Sequence, residues 1–380
     1  MLAWLDHPYR KLDQRVLIVG TNGKGSVAAT LSAITTSAGR KTGLFTSPHL
    51  TRVTERFRIN DKDFSWADFD RVGGRVLDAI DKANIPLSFF EAMVTTALLG
   101  FEESGCTVGI IEAGLGGKRD GTRPIEPTHA VLTSLGLDHT KTLGPTLTHI
   151  AHEKLDVFSD GAKGIVALPP KLEHLTPPGA WRYNQEVRWR QRPDGGLTVY
   201  LPDHTLRLPA PALPGPHQRR NTALAAATAH RMGLTEAEIA EGVPKVRWPG
   251  RMQKLATGPD TWLDGAHNPQ AVNRLLDTLT ELNIEDGYTL VFGAHPFKNT
   301  RHLLNRLAAR AGTVITTTAE RLSPAAELAE LLPDRPDVHV QPHVHKAVLA
   351  ARRLGKPVLV AGSLYLAGAL LGHLENHPLN

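Results

Sequence analysis

Hydrophobic and polar positions in the first third of the chain alternate as strand–loop–helix units. A short apolar run at 16–19 predicts a buried parallel strand, and the small residues at 26–38 predict a helix that ends at Gly39. Further strands are predicted at 42–45, 108–111 and 130–133, and helices at 66–84 and 91–103. Strands that alternate with helices indicate a parallel α/β sheet, in which ligands bind beyond the carboxyl ends of the strands.

The pattern changes in the middle of the chain. Residues 168–213 are rich in proline and arginine and contain short alternating stretches, which predict a small antiparallel excursion. Strand–helix alternation resumes after a Trp-Pro-Gly-Arg signal at 248–251. The remaining predicted elements are helices at 221–232, 270–282 and 300–311 and strands at 255–263, 289–292, 313–316 and 357–361. We expect an N-terminal domain at 1–247, which contains the excursion, and a smaller α/β domain at 251–380.

The composition is that of a globular protein with a sizeable core. Of 380 residues, 41% are hydrophobic and 21% charged. The longest apolar stretches, at 223–229 and 364–371, are much shorter than the roughly 20 residues of a membrane span, and the first residues do not resemble a signal peptide. The single cysteine, Cys106, excludes an internal disulfide and a cysteine-based metal cage. We expect a cytoplasmic protein with no membrane partner.

The charge balance favours small anionic substrates. Lysine and arginine number 43 against 38 acidic residues, a net charge of +5, and no tract of five like charges occurs. A mild excess of this kind suits ATP or a polycarboxylate better than a polynucleotide. We therefore expect no nucleic-acid partner.

A glycine-rich loop follows the first predicted strand and precedes the first predicted helix. Backbone N–H groups in such a loop converge on phosphate oxygens at a helix N-terminus. Lys24 would add a positive charge for the β- and γ-phosphates, and Ser26 a hydroxyl for Mg²⁺. The strict P-loop pattern is not met, because Gly25 stands between the lysine and the serine. The loop is composed of Gly20, Thr21, Asn22, Gly23, Lys24, Gly25 and Ser26.

Polar residues follow three other predicted strands of the first domain. Glu112 comes directly at the end of a buried strand, where an acid that organises Mg²⁺ is expected. Ser47 is a weaker candidate, because a Ser-Pro pair is usually only a turn. His139 follows another strand, but imidazole is not the donor that magnesium prefers, so its role as a ligand and a structural role are equally supported.

Two further segments differ in what their residues indicate. Lys154 lies in a His-Glu-Lys stretch that by itself indicates only an exposed helical turn. In the second half, Asn268 and Pro269 read as the N-cap and first position of a helix. Helix capping does not explain Asp264 and His267 in the same loop.

Together these segments resemble the folylpolyglutamate synthase family, many bacterial members of which are also dihydrofolate synthases, within the Mur ligase superfamily. The resemblance covers nearly the whole chain and distinguishes folate enzymes from cell-wall Mur ligases. The motifs, in order, are Gly-Thr-Asn-Gly-Lys-Gly-Ser (20–26), Thr-Ser-Pro-His-Leu (46–50), Glu-Arg-Phe-Arg-Ile-Asn (55–60), Ser-Phe-Phe-Glu (88–91), Glu-Ala-Gly-Leu-Gly-Gly (112–117), Leu-Asp-His-Thr (137–140), His-Gln-Arg-Arg-Asn (217–221), Trp-Pro-Gly-Arg (248–251), Leu-Asp-Gly-Ala-His-Asn-Pro (263–269) and Gly-Ser-Leu-Tyr-Leu (362–366).

The resemblance implies the fold, the reaction and the partners. The expected fold is a P-loop ATPase domain with a central, mostly parallel sheet, followed by a smaller Rossmann-like α/β domain. The expected reaction uses ATP to phosphorylate a carboxylate of a folate or dihydropteroate, after which the amine of L-glutamate displaces phosphate. Closure of the two domains would exclude water from the acyl phosphate. We expect a monomer.

The resemblance also assigns roles to residues. It implies that Lys24, Lys154 and His267 are catalytic, with His267 near the acyl phosphate and Lys154 carbamylated. Two Mg²⁺ ions are expected, and the carbamate of Lys154 would help to hold the second ion. The implied metal ligands are Ser26, Ser47, Glu112 and His139. The implied ATP contacts are residues 20–26 together with Asn221, Arg251 and Asp264.

The chain departs from the family pattern at two places. Lys118 and Arg123 stand where the family usually has arginine and asparagine, and Leu155-Asp156 replaces the usual Ala-Gly after Lys154. These departures concern the substrate side of the site rather than the reaction class. Two other functions stay open from the sequence: a Mur-type amide ligase with a different carboxylate substrate, and a P-loop ATPase stimulated by nucleic acid.

Overall fold

The computed structural model describes residues 1–159, 161–255, 260–284, 286–296 and 299–376. Residue contacts divide the chain into two compact units. Unit 1 comprises Met1–His49, Val53–Ala212 and His217–Arg247. Unit 2 comprises Leu50–Arg52, Leu213–Pro216 and Trp248–Asn380.

Unit 1 is built on a mostly parallel sheet. In the described residues its strands are β1 Gln14–Val19, β2 Thr42–Phe45, β3 Phe57–Ile59, β4 Lys62–Asp63, β5 Val108–Glu112, β6 His129–Leu132, β7 Lys163–Val166 and β8 Trp181–Arg182. They lie in the order β4-β3-β2-β5-β1-β6-β7-β8, and only the pairings of β3 are antiparallel. The carboxyl ends of β2, β5, β1 and β6 therefore lie side by side.

Helices cover both faces of this sheet, which is why its central strands are apolar throughout. Leu17 and Val19 of β1 belong to one buried cluster, and Val16 and Ile18 belong to the other. The helices of unit 1 are α1 Lys24–Ser37, α2 Trp66–Ala83, α3 Phe89–Glu103, α4 Thr140–Leu143, α5 Leu147–Leu155, α6 Pro216–Arg231 and α7 Glu236–Gly242. A separate antiparallel sheet contains β9 Arg188–Gln191, β10 Leu197–Tyr200 and β11 Thr205–Leu208.

Unit 2 is a second, smaller α/β structure. Its strands are β12 Gln253–Leu255, β13 Thr261–Leu263, β14 Tyr288–Phe292, β15 Ala311–Thr318, β16 Val338–His343 and β17 Val358–Ala361, in the order β12-β13-β17-β14-β15-β16. Only β12 is antiparallel to its neighbour. The helices are α8 Pro269–Glu281, α9 Thr300–Ala308, α10 Ala325–Ala329, α11 Val344–Arg353 and α12 Leu364–Asn376. Buried clusters lie on both faces.

The structure confirms the expected fold class and most predicted elements. One strand prediction is wrong: 255–263 is not one strand, because Leu255 ends β12 and pairs with Thr261 of the antiparallel β13. Residues 256–259 of that prediction lie outside the described residues. The helix predicted at 221–232 begins earlier, at Pro216, where proline suits the first helical position. Among the described residues, no helix has the length and apolar character needed to cross a membrane.

Candidate active site

The glycine-rich loop of unit 1 leads from β1 into the N-terminus of α1. Gly23, the N-cap residue, has φ 88°, a conformation that favours glycine. A Cβ at Gly23 would also lie 2.8 Å from Oδ1 of Asn221. The N–H groups of Lys24, Gly25 and Ser26 belong to the first turn of α1. N–H groups in the first turn of a helix have no carbonyl acceptor within that helix. Together with the helix dipole they make a site that attracts phosphate oxygens.

Residues that follow β6 hold the conformation of this loop. The N–H of Thr21 donates to the carbonyl oxygen of Ser134 at 3.0 Å, and the N–H of Asn22 donates to Oγ of Ser134 at 2.9 Å. Oγ1 of Thr133 donates to the carbonyl oxygen of Asn22 at 2.8 Å. Because β1 and β6 are paired in parallel, these polar residues emerge beside the loop.

Two lysines converge on the start of the loop. Nζ of Lys24 and Nζ of Lys154 donate to the carbonyl oxygen of Gly20 at 3.3 and 3.1 Å. Lys154 comes from α5 and is buried. Burial, and then the positive charge of Lys24, lower the pKa of Lys154 to about 8. Lys154 therefore loses its proton far more readily than an exposed lysine.

The expected metal residues Glu112 and Ser47 contact each other at the ends of neighbouring strands. The N–H of Ser47, which follows β2, donates to Oε2 of Glu112 at 3.2 Å. Oε1 of the same carboxylate lies 4.0 Å from Nζ of Lys24. Glu112 and Ser26 are both buried. The carboxylate of Glu112 thus lies beside Lys24 of the phosphate loop and accepts the N–H of Ser47.

His139 lies near the two lysines, in the lining of a small cavity of about 30 Å³. Its lining includes Lys24, Asp138, His139 and Lys154. His139 is the N-cap residue of α4 with φ 49°, and its side chain is 60% exposed. Unit 1 therefore places the expected ligand His139 and both lysines around one space.

The expected ligand set suits a hard cation only if other oxygens complete the coordination. Ser26, Ser47 and Glu112 supply oxygen donors, as Mg²⁺ requires, and His139 supplies nitrogen. Within the described ranges no group of three or more His, Cys, Asp or Glu residues could hold a metal ion. In nucleotide enzymes, phosphate and water oxygens provide several of the ligands of Mg²⁺.

Asn221 lies on α6 of unit 1 and faces the loop at Gly23. It is buried, and its Nδ2 donates to Oε1 of Gln218 at 3.0 Å. The neighbouring Arg220 donates to the carbonyl oxygen of Thr133 at 2.7 Å. The His-Gln-Arg-Arg-Asn motif therefore contacts the phosphate loop at Gly23 and the supporting segment at Thr133.

Unit 2 holds the remaining expected residues: Arg251 lies just before β12, and Asp264 and His267 lie in the loop after β13. Asp264 is buried, and its two carboxylate oxygens accept the N–H groups of Met252 and Ala266, each at 2.9 Å. Burial raises the pKa of Asp264, while the charge of Arg251 and these hydrogen bonds oppose the rise. The carboxylate thus fixes the segment that carries Arg251.

His267 lies in the same loop with an exposed side chain. Its Nδ1 lies 2.9 Å from the carbonyl oxygen of Gly265. A carbonyl only accepts, so Nδ1 carries the proton and Nε2 of the neutral ring is an acceptor. The predicted helix start is confirmed: Asn268 caps α8 through the N–H of Ala271, and Pro269 is at the first helical position.

The two departures from the family pattern lie in contact with each other. Nε of Arg123 donates to Oδ2 of Asp156 at 2.7 Å. Asp156 therefore pairs with Arg123. In the adjoining loop, buried Asp120 accepts the N–H groups of Leu115 and Thr122 at 2.6 and 3.0 Å.

Sequence reasoning missed the residues that support the site. Thr133, Ser134 and Asp120 hold loops in place, and Asp138 lines the cavity with both lysines. Their position along the sequence could have indicated them, because each lies in a glycine-containing stretch shortly after the end of β6 at 132 or of β5 at 112. Their partners could be assigned only after the strand order was known.

The chain is similar to known ligases. Residues 250–364 match the family described as "Mur ligase, glutamate ligase domain". The dihydrofolate synthase/folylpolyglutamate synthase of Escherichia coli is 34% identical over 271 residues, which cover 70% of this chain and 63% of that protein. A probable bifunctional folylpolyglutamate synthase/dihydropteroate synthase of Halobacterium salinarum is 31% identical over 315 residues, 77% of this chain. The chain spans only 38% of the length of that relative.

Solved structures agree with this similarity over nearly the whole chain. The crystal structure of bifunctional folylpolyglutamate synthase/dihydrofolate synthase with Mn, AMPPNP and L-glutamate bound has a TM-score of 0.86 and 28% identity. The alignment covers 98% of this chain and 92% of that one. The fold and the phosphate loop place the protein among the Mur ligases. Within that superfamily, the chain belongs to the folylpolyglutamate synthase family.

Proposed function

We propose that the protein is an ATP-dependent ligase that joins L-glutamate to a folate, and also converts dihydropteroate to dihydrofolate. The observation that carries this proposal is the convergence of Lys24, Lys154 and Glu112 at the phosphate loop, in a chain of this family. The similar protein of Escherichia coli carries these two activities in its name. A solved structure of this kind contains a nucleotide analogue and L-glutamate.

The chemistry has two steps. A carboxylate oxygen of the folate attacks the γ-phosphorus of ATP, and the bond from that phosphorus to ADP breaks. The amine nitrogen of glutamate then attacks the acyl carbon, phosphate leaves with the electrons of the broken C–O bond, and the amine loses a proton. The first-turn N–H groups of α1 and the charge of Lys24 stabilise the phosphoryl oxygens in the first step.

Ser26, Ser47, Glu112 and His139 would hold Mg²⁺, and we propose two ions in total. When bound, the metal supplies positive charge that neutralises the phosphates. Glu112 is suited to this role because its carboxylate is fixed by the N–H of Ser47 and lies beside Lys24.

Lys154 is suited to carbamylation. Its neutral amine nitrogen attacks the carbon of CO₂, one C=O electron pair moves to oxygen, and the nitrogen releases a proton to water. The product is an anion, and the pKa of about 8 makes the neutral amine available near neutral pH. We propose that this carbamate helps to hold the second metal ion.

The remaining residues are assigned by the resemblance. Arg251 and Asp264 would contact ATP, as would Asn221 beside Gly23. His267 would act on the incoming amine, because Nε2 of its neutral ring can accept a proton. We also propose that the two compact units are the domains expected at 1–247 and 251–380, and that the protein is a cytoplasmic monomer that does not act on nucleic acid.

An open cavity of 1030 Å³ in unit 1 could take the aromatic part of the folate. Its lining includes Leu87 just before α3, Glu91 and Thr95 on α3, and Gly121 and Arg123 after β5. The volume is comparable with that of a typical ligand pocket. Arg123, a departure from the family pattern, would thus affect which folate is accepted.

The test is release of phosphate from MgATP in the presence of L-glutamate and a panel of acids. We expect turnover with dihydropteroate and reduced folates, and none with UDP-muramoyl peptides or polynucleotides. Phosphate release that needs no folate, or that requires one of the other compounds, would contradict the proposal.

A further inference from the structure

The backbone of Thr133, just beyond the carboxyl end of β6, is held by a side chain from α6. Nη2 of Arg220 donates to the carbonyl oxygen of Thr133 at 2.7 Å, and Thr133 is buried. A buried carbonyl needs a donor, and a hydrogen bond from a charged donor is roughly twice as strong as one between neutral groups. Arg220 therefore fixes the position of the segment that follows β6.

Thr133 is in close contact with the phosphate loop. Its Oγ1 donates to the carbonyl oxygen of Asn22 at 2.8 Å. A Cβ at Gly20 would lie only 2.1 Å from the same Oγ1, so the start of the loop packs directly on this side chain. A shift of Thr133 would therefore move the loop as well, because a close-packed interior transmits displacements.

The guanidinium of Arg220 is itself held by an aromatic ring. Its central carbon lies 4.6 Å from the centre of the Tyr183 ring, a distance typical of a cation–π contact. The hydroxyl oxygen of Tyr183 accepts a hydrogen bond from Nε1 of Trp189 at 3.0 Å, and Trp189 belongs to β9. A continuous series of contacts therefore runs from the separate antiparallel sheet to the phosphate loop.

We propose that Arg220 is a positioning residue for the nucleotide, and that it acts through Thr133 rather than on the ATP directly. The inference rests on the proposed function, because it concerns the ATP of that reaction. Tyr183 and Trp189 keep the guanidinium in place, so the antiparallel excursion of unit 1 supports the phosphate loop.

A second arginine of α6 makes the same two kinds of contact elsewhere in unit 1. The guanidinium carbon of Arg231 lies 4.5 Å from the centre of the Trp181 ring, and its Nη1 donates to the carbonyl oxygens of Gly164 and Gly179 at 2.7 and 3.0 Å. Gly164 lies in the first half of β7, whereas the phosphate loop follows the carboxyl end of β1. Arg231 is therefore a matched control, because its loss removes contacts of the same kinds without reaching the loop.

The test is equilibrium binding of MgADP to the full chain, measured by isothermal titration calorimetry without folate or glutamate. Arg220→Gln should raise Kd about tenfold, because it removes a charge-assisted hydrogen bond that holds the loop. Arg231→Gln should bind MgADP as the wild type does, although both variants should unfold at lower urea concentrations. Tyr183→Ala should raise Kd about threefold through loss of the cation–π contact, whereas Tyr183→Phe keeps the ring and should bind nearly normally.

In turnover, KM for ATP should rise about tenfold in Arg220→Gln while KM for L-glutamate stays unchanged. Equal Kd values for the wild type and Arg220→Gln, or an equal rise in both arginine variants, would overturn the inference and leave the proposed function intact. A rise in Arg220→Gln but not in Arg231→Gln supports the inference even when no folate is turned over. If Arg220→Gln does not fold, the two Tyr183 variants make the same comparison, and equal Kd values for them would overturn it. A wild type that binds no MgADP would contradict the proposed function and the positioning role together.

Discussion

Replacing Lys154 with methionine should stabilise the protein while abolishing its activity. The amine of Lys154 is buried, and burial together with Lys24 lowers its pKa from 10.5 to about 8, against the opposing charges of Asp138, Asp120 and Glu153. This lowering of the pKa corresponds to a loss on the order of 3 kcal/mol in the free energy of unfolding when the amine is protonated. Methionine loses the hydrogen bond to Gly20, worth about 1 kcal/mol. The net gain should be about 2 kcal/mol near neutral pH.

The pH dependence has a definite sign. Below a pH of about 8 the amine is protonated in both the folded and the unfolded chain, so the full penalty is present. Between about 8 and 10.5 the unfolded chain binds more protons, so the stability of the wild type rises with pH. Above 10.5 the penalty is gone. The methionine variant lacks this rise.

The assay is urea unfolding, followed by circular dichroism, in CO₂-free buffers across this pH range. Lys171→Met, at an exposed lysine, is the matched control and should behave as the wild type. Added bicarbonate should stabilise the wild type, because a carbamate removes the buried positive charge, and it should not affect Lys154→Met. A variant less stable than the wild type near neutral pH, or a wild-type stability that does not rise between 8 and 10.5, would refute the reasoning.

Two further predictions concern the same unit. Lys24→Ala should abolish phosphate release while circular dichroism stays unchanged, because the variant removes the positive charge that Lys24 supplies to the phosphate loop, 4.0 Å from Glu112. A near-normal kcat would contradict this role. Arg123→Gln and Asp156→Asn should each lower the free energy of unfolding by about 1 kcal/mol, since both side chains are only about a quarter exposed. The double variant should lose about 1 kcal/mol less than the sum of the two single losses, because each single variant already breaks the ion pair. Additive losses in urea unfolding would show that the pair is uncoupled.

The phosphate loop could be predicted from sequence because its signals are local. An apolar run, then glycines and a lysine, then small helix-forming residues, specify strand, loop and helix in consecutive positions. The helix begins at Lys24, slightly before the predicted start, because Gly23 is the N-cap residue in a left-handed conformation. A periodic pattern alone does not locate that cap.

The support of the loop could not be predicted, because it depends on strand order. Ser134 binds Thr21 and Asn22 only because β6 lies next to β1, more than 100 residues away along the chain. The environment of Lys154 also depends on the fold, so the sequence around it indicated only an exposed helical turn. Its burial and its contact with Gly20 come from packing of α5.

The pairing of Arg123 with Asp156 was likewise invisible in the sequence. Each residue was recognised as a departure from the family pattern, but they are 33 positions apart and only the fold shows that they meet. Arg123 also lines the cavity of 1030 Å³ in unit 1.

The most direct test of the central claim is mass analysis of the products. The purified protein would be incubated with MgATP and L-glutamate, and with dihydropteroate or tetrahydrofolate in separate reactions. We predict that each acid gains the mass of one or more glutamyl residues, with one phosphate released per residue added. ATP hydrolysis without any change in the mass of either acid would contradict the account.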